Sequence, residues 1–264
     1  MMRTVMRGLG IAGFVLALSA GSALAAQCGN TGAGFEAWKT SFARQAAANG
    51  IGKRGLSALA GTRYATGTIR ADRNQHSFKL SLGQFMAKRG ASSIVAAGRA
   101  HKRANAALFE RIEAKYGVPA GPLIAIWGME TGFGRYTGSQ NTVSAIATLA
   151  YDCRRSAFFT DQLYAALKLV DRGVISSGTR GAMHGEIGQT QFMPKNVLLY
   201  GGGGSLASKE SALTSTARFL VGHGWRRGAG YQPGQANFGA IQGWNAASVY
   251  QQAIAIMGRQ IDGE

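Results

Sequence analysis

Apolar side chains recur along most of the chain at intervals of three and four residues, which is the period of an amphipathic α-helix. Phe35, Trp38 and Phe42 define one face of a first helix. A longer helix is predicted from Ser92 to about Tyr116, where Gly117 provides a stop signal. The buried side of this longer helix is predicted to carry Ile94, Ala97, Ala104, Leu108, Ile112 and Tyr116.

The next segment, from Leu123 to Glu130, is apolar nearly all round and therefore predicts a helix that is buried on every side. Pro122 suits the first turn of that helix, and a glycine-rich turn follows it from Thr131 to Arg135. A further amphipathic helix is indicated by Phe158, Phe159, Leu163, Ala166, Leu167 and Val170.

Three more helices are predicted toward the C-terminus. Pro194 to Tyr200 is short and ended by glycines, Ser208 can start a helix that runs to Gly222, and Asn245 can cap a last helix. That last helix would carry Val249, Ala253, Ile256 and Met257. Gly61 to Leu82 is polar, with little periodicity and no clear strand. Since no alternating segment is long enough for a sheet, the fold is predicted to be mainly α, with at most two or three short strands.

The N-terminus has the pattern of a signal peptide. Two arginines precede an uncharged apolar run from Leu9 to Ala20, and small residues follow at Ala23 and Ala25. We therefore predict that residues 1–25 are removed on export to the periplasm, with no stable membrane insertion afterwards, because the apolar run is short for a bilayer. An uncleaved anchor is one alternative. A lipoprotein at Cys28 is another, disfavoured because Gln27 stands directly before it, where a small residue is expected.

Length and composition allow one sizeable core. The chain has 264 residues, of which 46% are apolar and 16% charged, so disorder is disfavoured outside the ends and glycine loops. The formal net charge is +17, and removing residues 1–25 takes away two arginines and no acid, which leaves +15. Such a protein is attracted to polyanions, namely nucleic acid, anionic lipid or the bacterial cell wall. Export and the lack of a basic helix with interleaved aromatics argue against nucleic acid.

The two cysteines, Cys28 and Cys153, favour a disulfide in an oxidising compartment, with two buried free thiols as the alternative. Closing so long a loop is worth about 4–5 kcal/mol at most in the chain-entropy model. The cysteines lack metal-ligand spacing and the four histidines do not cluster. We therefore predict neither a metal nor a cofactor.

Glu130 is the outstanding candidate for chemistry, since it ends an apolar run and precedes a glycine turn. Apolar surroundings disfavour the anion and raise the pKa of a carboxyl group, as a general acid at neutral pH requires. The alternative is a structural glutamate bonded to Arg135 or to a buried amide.

A second glycine-rich segment, Gly185 to Pro194, carries the amides of Gln189 and Gln191, which suit hydroxyl-rich ligands such as sugars. Trp244 and Tyr250 could supply flat surfaces for sugar rings, although an aromatic residue is more often part of the core. The segment also holds Glu186, which could act as a second acid or base or simply orient the loop.

Several segments together resemble the lytic murein transglycosylases of the membrane-bound B type, in the family's order and over about Phe35 to Gln260. They are Ile126 to Gly134, with its "GxExxxG" pattern, Ala147 to Arg155 ("ATLAYD-RR"), Gly188 to Pro194 ("GQTQFMP"), His223 to Trp225 ("HGW") and Trp244 to Tyr250 ("YNxSxxY").

This resemblance implies a single lysozyme-like helical domain over residues 26–264, with small accessory helical lobes around a substrate groove and a catalytic core at about 92–225. It implies the glycan strand of peptidoglycan as partner, Glu130 as the acid and then the base, and a monomer that binds no nucleic acid. The predicted substrate-binding residues are Gln189, Gln191, Phe219, Trp244, Asn245 and Tyr250. Trp244 and Phe219 stand where tyrosine is common in the family, and no calcium loop is evident.

The resemblance further implies cleavage between N-acetylmuramic acid and N-acetylglucosamine, with closure of a 1,6-anhydro ring. Two alternatives stay open at this point. One is a hydrolase of the same bond, similar to goose-type lysozyme. The other is a wall-binding module that has no catalytic activity.

Overall fold

The computed structural model describes residues 27–74 and 80–263, and this part of the chain is mainly α-helical, as predicted. The predicted signal peptide lies outside the described residues. A 3-10 turn at Gly32–Gly34 precedes the first α-helix. The helices are α1 (Phe35–Ala48), α2 (Lys53–Ala60), α3 (Thr66–Arg73), α4 (Leu82–Arg89), α5 (Ala91–Ala104), α6 (Ala106–Tyr116), α7 (Ala120–Thr131), α8 (Thr142–Tyr151), α9 (Ser156–Asp171), α10 (Pro194–Tyr200), α11 (Lys209–Gly222), α12 (Phe238–Trp244) and α13 (Ser248–Asp262). Among the described residues, no helix combines the length and the apolar character needed to cross a membrane.

Two very short strands fall in the polar stretches, as expected. β1 (Gln140–Asn141) and β2 (Arg180–Gly181) pair antiparallel, with Gln140 opposite Gly181. The pair joins the segment that leads into α8 to the glycine-rich segment that leads into α10. It thereby fixes the loop that carries Glu186 against the body of the helices.

The centre of the fold is α7, in which every residue except Glu130 is buried. It packs mainly against α13 and α5, while α8 packs against α9. Two glycines of α7 allow these close contacts. A Cβ atom on Gly121 would lie 2.2 Å from the carbonyl oxygen of Gly258, and one on Gly128 would lie 2.6 Å from the side chain of Ile94. The all-round apolar pattern thus yields the predicted buried helix.

The prediction of one long helix from Ser92 to Tyr116 is wrong in one respect, because this segment forms two helices, α5 and α6, which are separated at Asn105. The side-chain amide of Asn105 donates to the carbonyl of His101 at 2.8 Å, and its oxygen accepts from Lys209 of α11. An asparagine bonded in this way competes with the helical backbone. Ala104, the last residue of α5, is exposed and not buried as expected.

Other local predictions differ in outcome. Ser208 caps α11 through a hydrogen bond from the Ser211 amide, as predicted. Asn245 does not cap α13, which begins at Ser248; its side-chain oxygen instead accepts from the Ala247 amide at 2.9 Å. Phe158, predicted on the buried face of α9, is 51% exposed.

Five helices, α2, α3, α4, α8 and α12, were not expected. The eight residues of α3 lie within the polar stretch from Gly61 to Leu82, where they bury Thr68, Ile69 and Asp72. Asp72 forms ion pairs with Arg154 and Arg155, which are distant in sequence. Tertiary contacts therefore stabilise a helix whose own pattern is weak.

The predicted disulfide between Cys28 and Cys153 is present. It fastens the beginning of the described chain to the turn after α8, where Gly29 also pairs with Asp152. The bridge closes a loop across a sequence separation of 125 residues.

Replacing both cysteines (Cys28→Ser with Cys153→Ser) should lower the free energy of unfolding by about 2–5 kcal/mol, because the unfolded chain regains the entropy of the open loop. Urea unfolding followed by circular dichroism measures this change. Wild-type protein unfolded in the presence of a reductant should match the double variant. Equal stability of the oxidised wild type and the variant would contradict a stabilising bridge.

Candidate active site

Glu130 is the next-to-last residue of α7 and the one residue of that helix that is partly exposed. Gly132 ends the helix in the left-handed conformation, with a φ of 56°. The glutamate faces a cavity of about 260 Å³. The cavity is lined by Glu130, Glu186, Gln191, Phe192, Met193, Asn196, Phe219, Trp244 and Asn245.

Two aromatic donors hold the Glu130 carboxyl group. Its Oε1 accepts a hydrogen bond from the indole Nε1 of Trp244 at 2.9 Å and another from the Tyr250 hydroxyl at 2.7 Å. Within the described chain, Arg135 forms no ion pair with Glu130, so the predicted structural alternative of a Glu130–Arg135 pair is absent. The carboxyl group is therefore bonded to neutral donors in an apolar setting.

The surroundings of Glu130 raise the pKa of its carboxyl group above the ordinary value. Burial is the main cause, since an enclosed anion loses the solvation of water. The hydrogen bonds from Trp244 and Tyr250 and the charge of Arg89 act in the opposite direction, and the charge of Glu186 adds to the rise. Glu130 thus holds its proton to a higher pH than an exposed glutamate does.

Tyr250 contributes to the site differently from what the sequence predicted. It is only 2% exposed, so its ring offers no flat surface to a sugar. Burial, followed by the proximity of Glu130, raises the pKa of Tyr250 well above its ordinary value. The hydroxyl therefore keeps its proton and remains a donor to Glu130. The ring packs against Phe85, with 5.8 Å between the ring centroids.

Trp244 and Phe219 form an aromatic wall of the cavity together with Phe192. The Trp244 ring meets Phe219 edge-on at 5.0 Å and Phe192 at 5.3 Å between centroids. Phe219 is buried beneath Trp244 and stacks on His223 at 3.9 Å. Trp244 is partly exposed and, through its indole nitrogen, supplies the donor that a tyrosine hydroxyl could supply at this position.

Gln191 lines the cavity from a tight hairpin. Ile187 and Phe192 exchange two backbone hydrogen bonds of 2.8 and 2.9 Å across it, and Gln191 itself adopts a left-handed conformation with a φ of 55°. Its side-chain nitrogen donates to the carbonyl of Gly188 at 2.8 Å. The Gln191 amide is thereby oriented, and its oxygen is the atom suited to accept from a ligand.

Gln189 does not line the Glu130 cavity, in contrast to its predicted role in binding substrate. Its side-chain oxygen accepts from Trp127 Nε1 at 2.9 Å, and its nitrogen donates to the carbonyl of Ala207 at 2.6 Å. In addition, the Thr131 hydroxyl donates to the Gln189 backbone at 2.6 Å. Both ends of the amide are engaged, so Gln189 ties α7 to the hairpin and faces a neighbouring cavity of about 360 Å³.

Glu186 is held in an ionic network that sequence reasoning did not foresee. The backbone amide of His184 donates to its Oε2 at 3.1 Å, and the His184 ring nitrogen Nδ1 lies 3.4 Å from its Oε1. Burial alone would raise the pKa of Glu186, but the hydrogen bonds and the charge of His184 outweigh it and leave the pKa below its ordinary value. The cavity therefore holds one carboxyl group with a raised pKa, Glu130, and one with a lowered pKa, Glu186.

Other cavity residues were missed as site candidates, although a signal for them existed. Phe192 and Met193 belong to the "GQTQFMP" segment, and Asn196 follows it by two residues. Asn245, which was predicted, lies on the cavity wall. Among the described residues, no group of three or more His, Cys, Asp or Glu side chains could hold a metal ion.

Comparison with known proteins identifies the family. The sequence profile of the family described as "Transglycosylase SLT domain" matches residues 34–234. The membrane-bound lytic murein transglycosylase B of Escherichia coli is 32% identical over 121 residues, which cover 43% of this chain and 34% of that protein. The match thus spans about a third of the length of that curated relative.

Solved structures agree in fold. SltB3 from Pseudomonas aeruginosa, in complex with NAG-anhNAM-pentapeptide, is 27% identical with a TM-score of 0.79, over 87% of this chain and 80% of that one. The Escherichia coli lytic transglycosylase Slt35, in complex with bulgecin A, is 21% identical with a TM-score of 0.75, over 90% of this chain and 96% of that one. The chain therefore belongs to the Transglycosylase SLT domain family, and the predicted lysozyme-like helical fold is confirmed.

Removing the Tyr250 hydroxyl (Tyr250→Phe) should raise the pKa of Glu130 further, because a donor that stabilises the anion is lost. Carbon-13 NMR of the glutamate carboxyl groups during a pH titration measures this shift. Tyr164→Phe, which removes a hydroxyl bonded to Asn49 far from the cavity, serves as the control and should leave Glu130 unchanged. A Glu130 pKa that stays constant or falls in Tyr250→Phe would show that the hydrogen bond from Tyr250 does not lower the pKa of Glu130.

Proposed function

We propose that this protein is a lytic transglycosylase that cleaves peptidoglycan strands between N-acetylmuramic acid and N-acetylglucosamine, with Glu130 as its acid and base. The observation that carries the proposal is the Glu130 carboxyl group, which lies at the edge of a cavity and whose pKa is raised by burial. Membership of the family supports it, as does the structural relative whose bound ligand is an anhydro-muramyl glycopeptide.

In the first step, the protonated Glu130 donates its proton to the glycosidic oxygen. The bond between that oxygen and muramic C1 breaks, and its electron pair stays on the leaving N-acetylglucosamine. Positive charge develops at C1, where the acetamido oxygen of the same sugar can stabilise it. General acid catalysis of this kind contributes about 10²–10⁴-fold to the rate.

In the second step, the Glu130 carboxylate takes the proton of the muramic C6 hydroxyl, and the C6 oxygen bonds to C1. The product is a 1,6-anhydro ring, and no water is consumed. An internal nucleophile is favoured because it is already in place. The hydrogen bonds from Trp244 and Tyr250 stabilise the anion that exists between the two steps, so that one carboxyl group can both give and recover a proton.

The other cavity residues fit substrate binding in this scheme. Gln191 and Asn245 supply polar atoms on the wall, and the partly exposed Trp244 supplies an apolar surface against which a sugar ring can lie. Phe219 supports Trp244 from beneath. Tyr250 acts through Glu130 and not by direct contact with the sugar.

We place this activity in the periplasm, after removal of residues 1–25, in a monomeric domain over residues 26–264 whose catalytic core spans about 92–225. The N-terminal pattern and the Cys28–Cys153 bridge support an exported protein. The net charge of +15 that remains after removal of residues 1–25 supports attraction to the anionic wall. Neither nucleic acid nor a cofactor takes part in the proposed reaction.

Replacing the acid (Glu130→Gln) should reduce the release of muropeptides from purified sacculi by about 10²–10⁴-fold, because glutamine cannot donate a proton. Mass spectrometry of the soluble products measures the release. Glu110→Gln, an exposed acid on α6, is the charge-matched control and should retain full activity. Sedimentation with sacculi should show that Glu130→Gln still binds. Lysis that persists in this variant would remove Glu130 from the mechanism.

A hydrolase similar to goose-type lysozyme is the second candidate, favoured by one observation, the presence of Glu186 as a second carboxylate in the same cavity. The two reactions leave different products. We expect muropeptides with anhydro ends, which are lighter by one water molecule than the reducing ends of a hydrolase. Digestion of the same sacculi with a hydrolytic muramidase provides the reference masses. Predominantly reducing ends would reject the transglycosylase in favour of the hydrolase.

A further inference from the structure

The cavity holds two carboxyl groups, and the proposed reaction uses only one of them. Glu130 comes from the end of α7, whereas Glu186 comes from the loop between β2 and α10. The two side chains lie close enough for the charge of Glu186 to raise the pKa of Glu130. Glu186 therefore faces the space in which the glycosidic bond must lie if Glu130 is to protonate it.

The position of Glu186 is fixed by its own loop. Gly185, directly before it, has a φ of 92°, and a Cβ atom there would lie 2.4 Å from the side chain of Ile146. The Glu186 carbonyl accepts from the Ala182 amide at 3.0 Å, and the His184 amide donates to the side-chain carboxylate. These contacts hold the Glu186 side chain in one orientation, in which it lines the cavity.

A chain of charged groups behind Glu186 maintains its environment. The ring of His184 lies between two carboxylates, with Nδ1 at 3.4 Å from Glu186 Oε1 and Nε2 at 3.7 Å from Asp72 Oδ1. Asp72 is buried and forms ion pairs with Arg154 and Arg155. The charges that act on the Glu186 carboxylate thus come from His184 beside it, Arg155 behind it and Glu130 across the cavity.

We infer that Glu186 is a second catalytic carboxylate of the proposed reaction, an anion that stabilises the positive charge on muramic C1 while Glu130 protonates the leaving oxygen. The inference rests on the proposed function. Glu186 neither gains nor loses a proton and forms no bond in either step, so the atoms balance as before. Its negative charge interacts more favourably with the transition state, in which C1 is positive, than with the neutral substrate, which is the condition for lowering a barrier electrostatically. His184 is a positioning residue, because it acts through Glu186.

The test is Glu186→Gln, which keeps the shape of the side chain and removes its charge. We expect kcat on sacculi or on a defined glycan strand to fall about 10- to 100-fold, while KM changes by less than about twofold. The remaining product should still carry anhydro ends. Glu110→Gln, exposed on α6, is the matched control for the loss of one negative charge and should behave as wild type.

The pH profile separates an electrostatic role from a merely structural one. Glu130 must be protonated to act, so activity is lost as the pH rises through its pKa. Because the anion of Glu186 raises that pKa, Glu186→Gln should move the alkaline limb of kcat to lower pH. Loss of correctly folded protein would lower the amplitude of the profile without moving this limb.

Three outcomes would overturn the inference. The first is a kcat of Glu186→Gln within about twofold of wild type. The second is an alkaline limb that stays in place, with circular dichroism showing a partly unfolded variant. The third is the release of reducing ends by the wild type that the Glu186→Gln variant no longer releases. Glu186 would then be the base that activates water. The products of the wild type are read first, since failure to release anhydro ends rejects the proposed function itself, independently of any Glu186 variant.

Discussion

The structure depends on one costly interaction, the placement of an acid at the end of a helix that is otherwise wholly buried. Enclosing the Glu130 carboxyl group would be unfavourable without donors, and the chain supplies two, Trp244 from the end of α12 and Tyr250 from α13. Burial raises the pKa of the carboxyl group and the two donors restrain that rise. The chemistry that we propose uses the resulting balance, because an acid that must also serve as a base cannot bind its proton too tightly.

That balance is maintained by the way α13 lies along α7. At one end, the Asp262 carboxylate accepts from the Gly121 amide at 2.8 Å and from the Tyr231 hydroxyl at 2.8 Å. At the other end, Tyr250 reaches Glu130. Since Gly121 has no side chain, the two helix backbones can approach closely along the contact. The position of the Tyr250 hydroxyl is therefore set by packing over the whole length of both helices and not by a local turn.

Local signals in the sequence predicted part of this arrangement. The apolar run before Glu130 predicts a buried helix, and Ser208 marks the start of α11, because burial on all sides and N-capping leave direct patterns. The break at Asn105 is harder to predict from the sequence, because it is accompanied by a contact from Lys209, which lies on another helix. Gln189 and Gln191 look equivalent in sequence, yet the hairpin directs them to different cavities. The role of Tyr250 as a donor depends on α13 packing, which no short pattern encodes.

The distribution of charge around the cavity differs from that of the protein as a whole. The chain is strongly basic, with a formal net charge of +17, yet two carboxyl groups line the cavity. Arg154 and Arg155 approach from behind it, and both are engaged by the buried Asp72. Because Asp72 balances part of the charge of both arginines, they do not cancel the negative charge of Glu186 that faces the cavity. A basic surface can then attract an anionic polymer while the cavity stays suited to a reaction in which positive charge develops on a sugar.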